Sequence, residues 1–340
     1  MGIRTIADLH HSRFGYDAMQ MSQLQFDPSA PLVLGGDLGG TKTLLALAEA
    51  AGDGLRIVAE RRYASRDHAD FAALLADFLD GRPAVRAACF GLAGPTDGAS
   101  ARLTYLPWTL DADGLARRFG LGRVRLVNDF AAAAHGLAGL SDAQAPLLQA
   151  GRPEAGAPRI VVGPGTGLGV AGLLPEAGGW RVVPGEGGHM GFAPQDETQA
   201  ALWHHLYAQH GRVTAEDVVS GPGLARIFAF LHGRPRNPEE IGSAALAGDA
   251  DALAAWRLWS AACGAFAGDL ALHWLARGGV WLAGGIAAKL MPALGAAEFL
   301  AAFKAKREHR ALAEAMPVRL VVEERLGLLG ALALAAAQAG

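Results

Sequence analysis

Cysteine is almost absent: Cys89 and Cys263 are the only two in 340 residues, each within an apolar stretch and neither with a neighbour at CxxC or metal-ligand spacing. A disulfide scaffold is thereby excluded, and both read as buried thiols. Blocks of one charge are absent too, since 30 Lys and Arg are interspersed with 33 Asp and Glu for a net charge of −3. No footprint for nucleic acid results, while small uncharged or anionic ligands stay open. Charged residues make up only 19% of the chain, against about 25% in an average soluble domain. Hydrophobic residues reach 51%, so there is ample material for a core and disorder is excluded. No window approaches the length of an uninterrupted apolar membrane span, and the stretch from Leu326 to Ala339 is short and marked by Gly327 and Gly330. The N-terminal segment carries His10, His11, Arg13, Asp17 and Asp27 in place of a signal peptide's apolar centre. A cytoplasmic chain with no membrane partner is expected.

Glycine, by contrast, is abundant at 46 residues, and its placement organises the chain. Residues 1–30 show no sustained period and end in a turn-like Asp27-Pro28-Ser29-Ala30, which predicts an extension outside the fold. From Pro31 onward, short apolar strands at Pro31 to Gly36, Thr43 to Ala48 and Leu55 to Ala59 are separated by Gly-rich turns of hairpin length. A helix follows on the face Phe71, Leu74, Leu75, Phe78 and Leu79, with Asp67 as its expected cap. A strand at Val85 to Phe90, a helix at Ala112 to Phe119, a strand at Val124 to Val127 and an Ala-rich helix from Phe130 complete the order βββαβαβα.

After a linker around Ser141 to Pro158, the order begins again at Ile160 to Val162, Leu168 to Leu174 and Trp180 to Val183. Helices are predicted at Gln199 to Gln209, Ala215 to Val219, Leu224 to Leu231 and Asp251 to about Arg277. Then come a strand at Val280 to Ala283, one helix near Pro292 to Lys304, a strand at Val318 to Val322 and a terminal helix. The second half therefore repeats the first with helical insertions, and the two copies are expected to face each other across a cleft. On the long helix, Trp256, Trp259, Phe266, Leu270 and Trp274 read as core, with part of that face open to a dimer contact.

Two nucleotide motifs are decoys. Gly35 to Thr43 fails the P-loop pattern by one residue, because Thr41 stands between Gly40 and Lys42, and the segment that follows is too short and too Gly-bounded for the helix a P-loop opens. A hairpin turn can still hold phosphate on convergent N–H groups, with Thr41 and Lys42 nearby and Asp37 facing Mg²⁺ through water. Gly167 to Gly172 is a literal GxGxxG, but Pro175, Gly178 and Gly179 break the helix a dinucleotide site needs. Gly163 to Gly167 instead reads as a second phosphate hairpin, offering Thr166 and backbone donors. A lone tight turn is the alternative for each, weakened by their equivalent positions in a repeated unit.

Polar residues gather at predicted strand ends. Asn128 and Asp129 follow the strand Leu126-Val127, where ligands sit in such sheets; one suits a helix cap and the other catalysis. Glu186 and His189 share a Gly-rich loop, which is either functional or a solvated turn. Thr214 reads as the cap of a helix bearing Glu216, which is either a site residue or a first-turn dipole partner. Donors and acceptors of this kind suit a polyhydroxylated substrate and the two hairpins suit ATP, which together indicate phosphoryl transfer to a sugar hydroxyl with an ionised Asp as base.

In order along the chain, GGDLGGTKT (Gly35 to Thr43), FGLAGP (Phe90 to Pro95), LPW (Leu106 to Trp108), VNDF (Val127 to Phe130), GPGTGLG (Gly163 to Gly169), PGEGGH (Pro184 to His189), SGPG (Ser220 to Gly223), LAGGI (Leu282 to Ile286) and GLLGA (Gly327 to Ala331) resemble the bacterial glucokinase family. The resemblance implies an α/β fold of two RNase H-like domains, the actin and hexokinase ATPase fold with an interdomain cleft. It divides the chain into residues 31–138 plus 327–340 as a small domain and 139–326 as a large one. It implies Asp129 as general base toward the glucose 6-hydroxyl, with Asn128, Glu186, His189 and Glu216 completing the sugar site. Gly39, Gly40, Thr41 and Lys42, with Gly165 and Thr166, would grip the phosphates of ATP; Asp37 would serve Mg²⁺ and Gly284 and Gly285 would approach the adenosine. A homodimer is also implied. Related ROK sugar kinases carry a Cys cluster for zinc where this chain has Met190, Gly191 and Phe192, so no zinc is expected. Tyr105 replaces an Asn of many members and bears on sugar preference. The alternatives to an ATP-dependent glucose kinase are a kinase for another hexose and a non-catalytic sugar-sensing regulator.

Overall fold

The computed structural model describes residues 27, 30–51, 54–104, 106–177 and 179–339. Most of the extension before Pro31, and Tyr105, lie outside the described residues. In chain order the strands and helices are β1 (Leu32–Leu38), β2 (Lys42–Ala51), β3 (Gly54–Ala64), α1 (Phe71–Leu79), β4 (Ala87–Leu92), β5 (Ser100–Arg102), β6 (Thr109–Asp111), α2 (Ala112–Phe119), β7 (Arg123–Asn128), α3 (Asp129–Gly136), β8 (Leu147–Gln149), β9 (Arg159–Pro164), β10 (Leu168–Glu176) and β11 (Gly179–Gly185). There follow α4 (Glu197–His210), α5 (Ala215–Val218), α6 (Gly221–His232), α7 (Pro238–Leu246), α8 (Ala250–Trp274), β12 (Gly279–Leu282), α9 (Gly285–Leu294), α10 (Ala297–Lys304), α11 (Arg310–Ala315), β13 (Val318–Leu320) and α12 (Leu326–Ala339).

The repeat is visible in the sheets. The first runs β3-β2-β1-β4-β7 and the second β11-β10-β9-β12-β13, with β8 added at its edge. In each, an antiparallel meander of three strands continues into parallel pairing from its first strand. β1 and β4 are covered on both faces, which is why both read as near-continuous apolar runs. On one face of the first sheet Leu34, Leu45 and Phe90 meet Phe71, Phe78 and Trp108; on the other Val33, Ala46 and Cys89 meet Leu328, Ala331 and Leu332 of α12. The second sheet packs Ile160, Val162 and Val280 against Trp256, Trp259, Phe299 and Phe303. Burial of aromatic and aliphatic side chains on this scale dominates the stability of both layers.

Helices α3 and α12 lie between the two sheets, with Ala133 and Ala134 of α3 and Leu137 of the 3₁₀ turn after it packed against Val161, Ala171, Trp281 and Leu326. A side chain on Gly330 would collide with the carbonyl of Ala132, so these helices cross backbone against backbone. Among the described residues no single helix is long and apolar enough to cross a membrane.

Several expectations are corrected. The cap of α1 is Asp70, whose carboxylate accepts from Ala73 N–H at 2.7 Å, because Asp67 is consumed in a 3₁₀ turn at Ser65–Asp67. The single helix near Pro292 to Lys304 is two, α9 and α10, bent by 108° where Gly295 takes a φ of 82°. The linker hides β8, the stretch before α2 hides the β5–β6 pair, and α7 begins at an Asn237 cap with Pro238 at its first turn. Most of the aromatic face of α8 is core: Trp256, Trp259, Phe266 and Leu270 are buried and Trp274 is half-buried at the end of the helix.

Candidate active site

The first Gly-rich turn joins β1 to β2, closed by Gly39 N–H donating to the carbonyl of Lys42 at 3.0 Å. A strand, not a helix, follows Lys42, so the turn is a hairpin and not a P-loop. The end of β3 holds it from the side: Ser65 N–H donates to the Thr41 carbonyl at 3.0 Å and Ser65 Oγ to the Gly39 carbonyl at 2.8 Å. The N–H groups of Gly40 and Thr41 have no hydrogen-bond acceptor among the described residues. Exposed N–H groups on a tight turn form an anion-binding concavity, with Lys42 adding positive charge.

The second turn joins β9 to β10, closed by Gly165 N–H to the Gly167 carbonyl at 2.8 Å. β10 runs on from Leu168 as a strand, which removes the dinucleotide reading of Gly167 to Gly172. Two groups from the helical insertion grip this turn. Gly221 N–H, at the start of α6, donates to the Gly165 carbonyl at 2.8 Å, and Leu168 N–H donates to Glu216 Oε2 at 2.8 Å. Glu216 rides on α5, capped by a reciprocal Thr214–Asp217 box, so its position is fixed by backbone and not by loop geometry. Gly284, with a φ of 118°, brings the start of α9 against the Pro164 carbonyl and so places Gly284 and Gly285 beside the same turn. Gly163 and Gly169 leave room for the ring of Phe130 from α3.

The acids stand at strand ends between the turns. Asn128 is the cap of α3: its Oδ1 accepts from Phe130 N–H at 2.9 Å and Ala131 N–H at 3.1 Å, while its side chain also hydrogen-bonds the neighbouring Asp129 carboxylate. Asp129, first residue of α3, accepts from Phe130 N–H at 2.8 Å through Oδ1. Of the two expected roles the cap thus falls to Asn128, which leaves the Asp129 carboxylate outside it. Burial raises the Asp129 carboxyl above the usual range, with Glu186 adding to the effect and the Phe130 N–H opposing it. Asp37 lies on β1 with its carboxyl against Gly327 at the start of α12. Its pKa is pushed up to about 6, first by burial and next by the charge of Asp129, against the pull of Lys42.

Glu186 and His189 occupy one 3₁₀ turn after β11, with His189 Nε2 4.0 Å from Glu186 Oε2 and their side chains 61% and 87% exposed respectively. Such exposure suits a residue that closes on a ligand and carries no packing duty. Asp37, Lys42, Asp129 and Glu186 thus share one electrostatic neighbourhood, His189 stands beside Glu186, and Glu216 touches the second turn. Among the described residues no three or more His, Cys, Asp or Glu are grouped to hold a metal ion; the Asp37 and Asp129 carboxylates form a pair only. Ser65, Phe130 and Gly221 shape the site without having been singled out for it by sequence. Their signals are weak: a polar residue closing a strand, an aromatic after an acid, a Gly after a cap.

A family model described as Glucokinase matches residues 34–338. A glucokinase from Nostoc punctiforme is 36% identical over 338 residues, spanning 90% of this chain and 99% of that one. The solved glucokinase of an Antarctic psychrotroph superposes with a TM-score of 0.81 at 29% identity, covering 92% of this chain and 99% of the other. A ROK family glucokinase from Streptomyces griseus in complex with glucose and AMPPNP shares the fold with a TM-score of 0.59 at 22% identity, over 89% of this chain and 99% of that one.

Proposed function

This chain belongs to the glucokinase family, and we infer from that membership and from the site that it transfers the γ-phosphoryl group of ATP to the 6-hydroxyl of glucose. The observation that carries the inference is the placement of Asp129 at a strand end between two anion-gripping turns, with a helix cap supplied separately by Asn128. Phosphoryl transfer needs positioning and charge neutralisation more than covalent chemistry, and this arrangement offers both.

Asp129 is the general base. Its raised pKa brings a carboxylate closer to the pKa at which proton acceptance is efficient near neutral pH, while the Phe130 N–H keeps one oxygen oriented. Asn128 offers amide donors to sugar oxygens, Glu186 and His189 close over the ring, and Glu216 accepts from a hydroxyl with the oxygen that Leu168 leaves unused. Gly39, Gly40, Thr41 and Lys42 hold the nucleotide phosphates from one side and Gly165 and Thr166 from the other, with Gly284 and Gly285 at the adenosine. Magnesium fits here: two hard carboxylates whose repulsion already lifts the Asp37 pKa are a donor set a divalent cation would relieve, with Asp37 the holder through water. When bound, the ion supplies neutralisation of charge on the phosphate oxygens.

The two-sheet architecture supports a small lobe of residues 31–138 with 327–340, since α12 covers β1 and β4, and a large lobe of 139–326 around the second sheet. The family's homodimer is retained as a proposal and must use a face other than the buried aromatics of α8. A cytoplasmic setting, where ATP is the phosphate donor, agrees with two free buried thiols.

The test is a coupled spectrophotometric assay with ATP·Mg²⁺ against glucose, mannose, fructose and N-acetylglucosamine. Turnover with glucose is expected. Turnover only with another hexose would move the substrate, and glucose binding without turnover by any donor would move the protein to a sensor.

A further inference from the structure

Few polar side chains in this fold are fully buried, and two of them face each other at the base of the first turn. Thr43 and Ser65 are both 0% exposed, and their hydroxyls lie 2.9 Å apart. They sit where β2 and β3 pair, Thr43 opposite Tyr63 and Lys42 opposite Ala64, immediately before the chain leaves the sheet. A buried hydroxyl costs stability unless its hydrogen bonds are met, so a pair of them in an otherwise apolar sheet has a purpose. The directions are settled by the acceptors. Ser65 Oγ–H is committed to the Gly39 carbonyl at 2.8 Å, so Thr43 Oγ1–H donates to Ser65 Oγ. Ser65 also donates its backbone N–H to the Thr41 carbonyl at 3.0 Å.

One residue therefore holds the carbonyls on both sides of Gly40. Fixing both carbonyls fixes the plane of the Gly39–Gly40 peptide, which carries the Gly40 N–H, and that of the Thr41–Lys42 peptide, because each peptide unit is rigid; the Gly40–Thr41 peptide, which carries the Thr41 N–H, is held between these two. The N–H groups of Gly40 and Thr41 are the ones left without an acceptor among the described residues.

We propose that Ser65, backed by Thr43, is the positioning residue that sets the peptide planes of the Gly39 to Thr41 turn for nucleotide phosphates. It touches neither sugar nor nucleotide and acts through the turn alone. The proposal rests on the reading of that turn as a nucleotide grip. Its signature is selective, since among the described residues no hydrogen bond joins Ser65 to Asn128, Glu186, His189 or Glu216.

The experiment compares wild type with Ser65→Ala, Ser65→Thr and Thr43→Val, reading kcat, the KM for ATP, the KM for glucose and the affinity for ADP·Mg²⁺ by calorimetry. Melting temperature reports whether each variant is folded. Ser65→Ala is expected to weaken ATP and ADP by roughly 3- to 30-fold, the loss of one or two buried hydrogen bonds, while the KM for glucose is unchanged. Ser65→Thr restores the hydroxyl and most of the affinity, and Thr43→Val shows the same sign with a smaller size. Should Ser65→Ala not fold, Ser65→Cys carries the test, as a thiol is a weak donor. An unchanged ADP affinity in folded Ser65→Ala, a parallel rise in both KM values, or failure of Ser65→Thr to recover would each overturn the proposal. If wild type gives no glucose turnover the kinase reading fails, and the ratio of ADP affinities between wild type and Ser65→Ala still decides the role of Ser65. Wild type that binds no ADP overturns both.

Discussion

The two Gly-rich turns occupy equivalent places in the two sheets, between the first and second strands of each meander, yet they are held by different means. The β1–β2 turn is braced from within its own sheet by two neutral hydroxyls, Ser65 just after β3 and Thr43 on β2. The β9–β10 turn is braced from outside, by a backbone N–H of α6 and by the carboxylate of Glu216 on α5. Duplication of a unit preserves where a turn lies, because strand order fixes it; what steadies the turn depends on whatever the chain inserts nearby. On the proposed reading the first turn is therefore indifferent to sugar, and the second shares the Glu216 carboxylate with the sugar site.

The sharpest way to probe that difference is to remove what both turns serve. Asp129→Asn deletes the base and leaves each turn's bracing in place, so kcat should fall by about 10²–10⁴ while ADP affinity persists; rapid-quench or coupled kinetics alongside calorimetry reads both. Next in size is Glu216→Ala, which strips an acceptor from Leu168 N–H and from the sugar together. The KM values for glucose and for ATP should then both rise, each by roughly 10-fold or more, as expected for a charge-assisted hydrogen bond. Glu216→Gln, which keeps an acceptor for Leu168, should spare ATP and hurt glucose. If Glu216→Ala changed glucose alone, the two turns would be braced alike in effect.

A smaller effect concerns stability. Asp37 titrates at about 6 in the folded chain against 3.8 when free, so the folded state prefers it protonated. Its stabilising contribution is complete at acidic pH below the free value and is lost as pH rises through 6. In metal-free buffer Asp37→Asn should therefore raise the melting temperature at pH 7, and the gain should shrink as pH is lowered through 6 toward 4. Saturating Mg²⁺ and nucleotide should narrow the gap with wild type. A variant that melts lower than wild type at pH 7 would show that the Asp37 carboxylate is supported by its surroundings and not strained by them.

Much of this was legible before any coordinates. Apolar runs bounded by glycine gave the strands, Pro175 and the glycines after it dismissed the dinucleotide motif, and the strand-then-acid pattern at Leu126 to Asp129 placed an acid at a strand end, where the proposed base stands. Caps were less legible: Asp67 and Asp70 are equally good residues, and the choice is made by a 3₁₀ turn that no local preference announces. The split of α9 from α10 depends on one φ at Gly295. Least legible were the contacts of Ser65 and the bond from Leu168 N–H to Glu216. Each joins segments far apart in sequence, one set by strand register and the other by the docking of α5 on the second turn, and neither comes from propensity.

Helix α12 has a consequence of another kind, for the order in which the chain can mature. The face of β1, β2 and β4 that presents Val33, Ala46 and Cys89 is closed by Ala132 of α3 and, along most of its length, by Leu328, Ala331, Leu332 and Ala335 of α12. During synthesis that sheet emerges before the second and most of its cover after it, so apolar surface stays bare through the making of the whole second sheet. The earlier structure is thus hostage to the later. Shortening the chain ahead of Leu326 would cost far more than one helix, since β1, which bears Asp37, would lose the packing on one of its two faces.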